Sequence, residues 1–166
     1  MNKSGLIEQL YSRYYEPLMV IACSYTHNRH TAEDLVQNAF LKAILSYKPS
    51  GSFLSWANRV IRNDFLNSIR AEKYRADNEP EMMDLADCYD ILERLIHNEK
   101  KARLSAMIAS LPLRQRTIMI ESVYLELDDA QIAKAHAMTE ANIRQIRSRA
   151  KKKLIKMMEN GEDANE

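Results

Sequence analysis

DDAQIAKAHAMTEANIRQIRSRAKKKL, Asp128 to Leu154, contains two helix starts. Asp128 with Gln131 can satisfy the orphan N–H groups that open one helix, and Thr139 can do the same for the next. Ile132 and Ala133 in the first segment, and Ile143, Ile146, Ala150 and Leu154 in the second, fall at helical spacing on one face. With a turn of about three residues around Ala137 and Met138, this spacing predicts a helix-turn-helix. Ala133 is small where the helices cross, and Met138 plugs the turn. In such a motif the second helix enters the DNA major groove, with its N-terminal residues at base edges. Glu140, Asn142, Arg144, Gln145, Ser148, Arg149 and Lys152 remain on its wet face as candidates to touch DNA. Ala137 stands where a glycine is usual, at some conformational cost. The same basic face would suit a helix that is only solvated, so the rest of the chain has to decide.

The chain has 166 residues, enough for one ordinary domain or two small helical ones. Three glycines and four prolines exclude a Gly-rich phosphate loop and the turn density of an all-β domain. Apolar residues three or four apart along most of the length make the expected fold all-α. The net charge is only +1, but the signs are segregated. Seven acids and no Lys or Arg lie between Asp77 and Glu93, whereas seven bases and no acid lie between Arg144 and Lys156.

Cys23 and Cys88 are too few and too far apart for a disulfide framework, and no basic start leads into an apolar run. The best apolar stretch, PLMVIACSY, is far short of the ~20 residues of a membrane span. A cytoplasmic protein without membrane insertion is expected. Cys23, His27 and His30 lack a clear fourth metal ligand. No nucleophile–base–orienter set or carboxylate pair suggests an enzyme. Neither metal nor cofactor is expected.

Leu6, Ile7, Leu10, Tyr11 and Tyr14 form a first apolar stripe, and Pro17 is placed to begin a second helical segment. Thr31 with Asp34 resembles a capping box opening a helix to about Ser46. Phe53, Trp56, Val60, Ile61 and Ile69 trace another helix to about Lys73. Periodicity then fails around Pro80. Leu92, Leu95, Ile96, Leu104 and Ile108 read as one long helix, punctuated by Leu111-Pro112, and Ile118, Met119, Val123 and Tyr124 mark the next. The expected organisation is two small helical domains at 1–75 and 91–158, an acidic linker at 76–90 and an acidic tail at 159–166.

Taken together, the two modules resemble the extracytoplasmic-function (group IV) bacterial RNA polymerase sigma factors. LIEQLYSRYYEPLMVIACSYTHNRHTAEDLVQNAFLKAI with FLSWANRVIRNDFLNSIR is similar to their domain two, and LPLRQRTIMIESVYLELDDAQIAKAHAMTEANIRQIRSRAKKKL to their domain four. The resemblance implies a protein that binds core RNA polymerase, through its clamp helices and flap, and directs it to promoter DNA. An anti-sigma factor is a further partner that it allows. It implies that Asp34, Leu35, Gln37, Asn38 and Phe40 lie on the core-binding helix, with Asn38 where Glu is usual. Trp56 and Asn63 match the promoter-melting helix, Tyr47 takes an aromatic position before it, and Asn67 stands where Asp is frequent. An aromatic and an amide could stack and read a base flipped from the minus-ten element, although the spacing of Trp56 from Phe53 and Val60 favours core packing. Arg62 and Arg70 are placed to hold nearby phosphates. In domain four, Glu126 replaces a usual glycine and Asp129 a common aromatic. The acidic linker would thread toward the active-site cleft and RNA exit channel.

Two other readings stand beside this one. A helix-turn-helix regulator acting without polymerase leaves the Asp34 helix and the acidic linker unexplained. A helical adaptor that binds only protein leaves the basic helix without a purpose.

Overall fold

The computed structural model describes residues 2–75, 92–94 and 96–163, so the linker at 76–90 and the last residues of the tail lie outside the described residues. Seven helices of two turns or more are present: α1 (Lys3–Thr26), α2 (Arg29–Ser46), α3 (Phe53–Arg75), α4 (Glu99–Ala109), α5 (Leu113–Val123), α6 (Asp129–His136) and α7 (Glu140–Asp163). No strand occurs among the described residues. The all-α fold and the terminal helix-turn-helix are as the sequence predicts.

Short polar side chains open most of the helices by accepting a bond from a first-turn N–H, which otherwise has no partner. Asn2 accepts from Gly5 N at 2.9 Å, Asn28 from Thr31 N at 3.0 Å, Ser52 from Ser55 N at 3.2 Å and Asn98 from Lys101 N at 3.1 Å. Three sequence expectations are corrected here. Pro17 lies inside α1 and does not start a new helix. The N–H it lacks falls on an exposed face, so little is lost. The cap of α2 is Asn28, one turn before Thr31. The long helix expected through Leu92 and Ile108 breaks at His97, which takes a left-handed φ of 54°, and Asn98 restarts it as α4. The tail expected from Glu159 begins inside α7.

Helices α1 to α3 form an N-terminal unit and α4 to α7 a C-terminal one. Ala32, Ala39 and Ala43 are fully buried on α2 and let it lie close against α1. The two units share one apolar core. Leu18, Ile21 and Ile61 from the first, and Leu92, Ile108, Leu111 and Ile120 from the second, are 0–1% exposed in the same cluster. Each such side chain contributes about 1.5–3 kcal/mol. Ile118, Ile132, Ala133, Ile143 and Ile146 form a second, separate cluster, with Met138 and Leu127 packed at its edge.

Candidate nucleic-acid interface

The second cluster fixes the helix-turn-helix. Asp128 Oδ1 accepts from Gln131 N at 2.8 Å while Gln131 Oε1 accepts from Asp128 N at 3.0 Å, so the predicted capping box closes in both directions. Ala137 ends α6 in the left-handed region (φ 52°, ψ 44°), the strain that its lack of glycine implied. Thr139 Oγ1 then accepts from Asn142 N at 3.1 Å and opens α7. With Ile143, Ile146, Ala150 and Leu154 buried, Glu140, Asn142, Arg144, Gln145, Ser148, Arg149 and Lys152 are all exposed. One basic residue of this helix is spent differently. Arg147 turns inward, its Nη1 2.9 Å from Asp129 Oδ1 and its Nη2 3.1 Å from Oδ2, and so ties α7 to the first turn of α6. That bridge occupies the position where the resemblance leads one to expect an aromatic.

On α3, Asn63, Asn67 and Arg70 are exposed at i, i+4 and i+7, one continuous face. Arg59, one turn before Asn63, extends the stripe, and the same i−4 spacing would have found it in the sequence. The other minus-ten candidates are placed differently. Tyr47 is 8% exposed, edge-on to Phe53 at 5.1 Å, and Trp56 lies over the same pair at 5.1 and 5.9 Å. These rings pack the end of α2 against α3 and offer no open stacking platform. Arg62 faces the C-terminal unit. Its Nη1 donates to Glu121 Oε1 at 2.5 Å, while the Nε2–H of His136 donates to Glu121 Oε2 at 2.7 Å. Arg62 Nη1 and His136 Nε2 are 3.2 Å apart, which closes the triangle.

The Asp34 helix divides the same way. Leu35 and Phe40 point into the core, and Asp34, Gln37 and Asn38 are exposed. Beside these polar groups stand residues that the sequence reading passed over: Leu41, Ile44 and Leu45 are 57, 46 and 81% exposed. With Ile7 and Tyr11 of α1 they border an open groove of about 470 Å³. Large apolar side chains so exposed and contiguous mark an interaction surface.

Among the described residues no group of three or more His, Cys, Asp or Glu could hold a metal, and no helix is long and apolar enough to cross a membrane. Cys23 is buried, and the imidazole of His27 donates through Nε2 to the carbonyl of Ala109. Burial, followed by the nearby Arg116 guanidinium, holds His27 below its ordinary pKa.

Residues 10–75 match the model of sigma-70 region 2, and residues 101–154 match that of sigma-70 region 4, in the order that the helices follow. The chain belongs to the extracytoplasmic-function sigma factors. It is 26% identical to RNA polymerase sigma factor YlaC of Bacillus subtilis over 164 residues, 95% of each chain. It is 24% identical to ECF RNA polymerase sigma factor SigM of the same organism over 158 residues, covering 93% of this chain and 96% of the relative. Against ECF RNA polymerase sigma factor SigE of Mycolicibacterium smegmatis it is 28% identical over 119 residues, 68% of this chain and 46% of that one. In this sigma factor the region 2 match spans α3 and its exposed amide stripe. The region 4 match ends at Leu154, the last buried residue of the recognition helix. Its role is that of the family, directing transcription initiation.

Proposed function

We propose that this sigma factor docks on core RNA polymerase through the outward face of α2 and holds promoter DNA through α3 and α7. Asp34, Gln37 and Asn38 supply the polar contacts to the polymerase clamp helices, and Leu41, Ile44 and Leu45 the apolar ones. Leu35 and Phe40 serve the same surface from behind, by fixing α2 on the core. Asn63, with Asn67 and Arg70 beside it, takes the melted minus-ten strand. Arg144 and Gln145 read the minus-thirty-five element, while Glu140, Asn142, Ser148, Arg149 and Lys152 surround them at base edges and phosphates. The polymerase flap and an anti-sigma factor are further partners that this reading allows for the C-terminal unit.

The observation that carries the reading is that every α7 candidate faces outward from a doubly capped helix-turn-helix. A regulator working without polymerase would leave the apolar face of α2 with nothing to cover it. The test is run-off transcription with purified core polymerase on a promoter library, comparing wild type with Leu45→Glu. Leu45 is 81% exposed, so the substitution should leave helicity unchanged while abolishing core capture and transcription. Full transcription by Leu45→Glu would remove α2 from the assignment.

A further inference from the structure

The two units are held together by more than the linker. Their apolar side chains form a single core, and three polar contacts cross the boundary. Arg116 Nη1 donates to the carbonyl of Tyr25 at 2.6 Å, His27 donates to the carbonyl of Ala109, and Glu121 receives both Arg62 and His136. Glu121 is 2% exposed and its two oxygens are fully engaged. Arg62 is the one residue of the α3 minus-ten set that this contact captures. Its side chain is 13% exposed, while Asn63, Asn67 and Arg70 on the same helix are exposed.

A carboxylate and a phosphate offer a guanidinium the same thing, anionic oxygens that accept charge-assisted bonds. Glu121 therefore occupies Arg62 in the way that a DNA phosphate would. We propose that this packing is a resting state, in which Glu121 and His136 withhold Arg62 from DNA until the two units part. The inference rests on the proposed role of α3. The faces of α2 and α7 stay outward in the packed form, so docking on polymerase can precede opening and supply the free energy for it. Until then the apparent affinity for a melted strand is lowered by the fraction of chains that are open.

The experiment uses the full chain, Glu121→Gln, and a random-sequence single-stranded 30-mer as probe. One compact body of this length has a radius of gyration of about 15 Å. Small-angle scattering should place wild type near that value and Glu121→Gln clearly above it. Binding of the variant should tighten several-fold, and its log K against log salt slope should steepen by about 0.7, one added phosphate contact on a single strand. Arg62→Gln added to Glu121→Gln should return the slope to that of wild type while the chain stays expanded. Should Glu121→Gln lose helicity, His136→Gln removes one side of the triangle more gently and is expected to move both readouts in the same direction. Unchanged scattering and slope in folded variants overturn the proposal, as does expansion without a change in slope. If wild type gives no run-off transcript with core polymerase, the reading of α3 fails; a wild type that transcribes beside unmoved variants sinks the resting state alone.

Discussion

Arg144 and Lys152 stand about two turns apart on α7 and are both exposed, yet their places on the helix assign them different work. Arg144, near the helix start, can pair bidentately with guanine. Arg144→Ala should cost ~1–3 kcal/mol at the preferred minus-thirty-five sequence and relax selectivity at one position. Lys152→Ala should weaken binding to all sequences alike and flatten the salt dependence, because phosphate contacts release counterions whatever the sequence. Salt-titrated binding of holoenzyme to a promoter library separates the two, and equal effects on every promoter would reduce α7 to a source of charge. Tyr47 shows the reverse case, a residue whose role changes once its surroundings are known. With its ring packed on Phe53 and Trp56, Tyr47→Ala should destabilise the fold by about 3–5 kcal/mol, as loss of a buried aromatic does. A melting temperature equal to that of wild type would return it to the DNA surface.

At the scale of elements, the turn between α6 and α7 carries measurable strain. A non-glycine residue in the left-handed region costs about 1–2 kcal/mol, and Ala137 holds φ at 52° there. Ala137→Gly relieves that cost but gives the unfolded chain about 0.4–1 kcal/mol of extra freedom. The expected net gain is up to about 1 kcal/mol, readable as a higher urea midpoint. Loss of stability would mean that the Ala137 side chain contributes packing that outweighs the strain. Glu126, the other departure from glycine in the C-terminal unit, takes the same left-handed conformation at φ 54°. Both positions show the turn geometry persisting where the residue best suited to it is absent. The Asp129–Arg147 bridge and the second apolar cluster hold α6 and α7 at a fixed angle across the turn.

At the scale of the molecule, the contact between units has its own pH dependence. His27 is buried and held below its ordinary value of 6.5, chiefly by burial and then by Arg116, with its bond to Ala109 acting in the opposite direction. As pH falls through that value the unfolded chain takes up the proton first. Stability is therefore complete above 6.5 and is lost below it. The melting temperature should be level from about pH 8 to 7 and decline from about 6.5 to 5. His27→Asn, which tolerates the left-handed backbone at φ 55°, should flatten the decline. An equal decline in the variant would assign it to other groups.

The helices, their caps and the wet face of α7 were legible in the order of residues, because each depends on partners three or four positions away. Asp128 finds Gln131, Thr139 finds Asn142, and Ile143 lines up with Ile146 wherever the rest of the chain goes. The helix at His97 was misread for a related reason: an apolar stripe can continue past a residue that leaves the helical region. On α2, apolar residues occupy more of the circumference than the core can cover. Only packing decided that Leu35 and Phe40 go inward and Leu41, Ile44 and Leu45 outward. Arg62 and Glu121 are separated by 59 positions, and no local pattern selects that pair among 24 bases and 23 acids. Tertiary structure alone brought them together, by burying the flanks of α3 and α5 in one core, where a charge left without its partner would be too costly to keep.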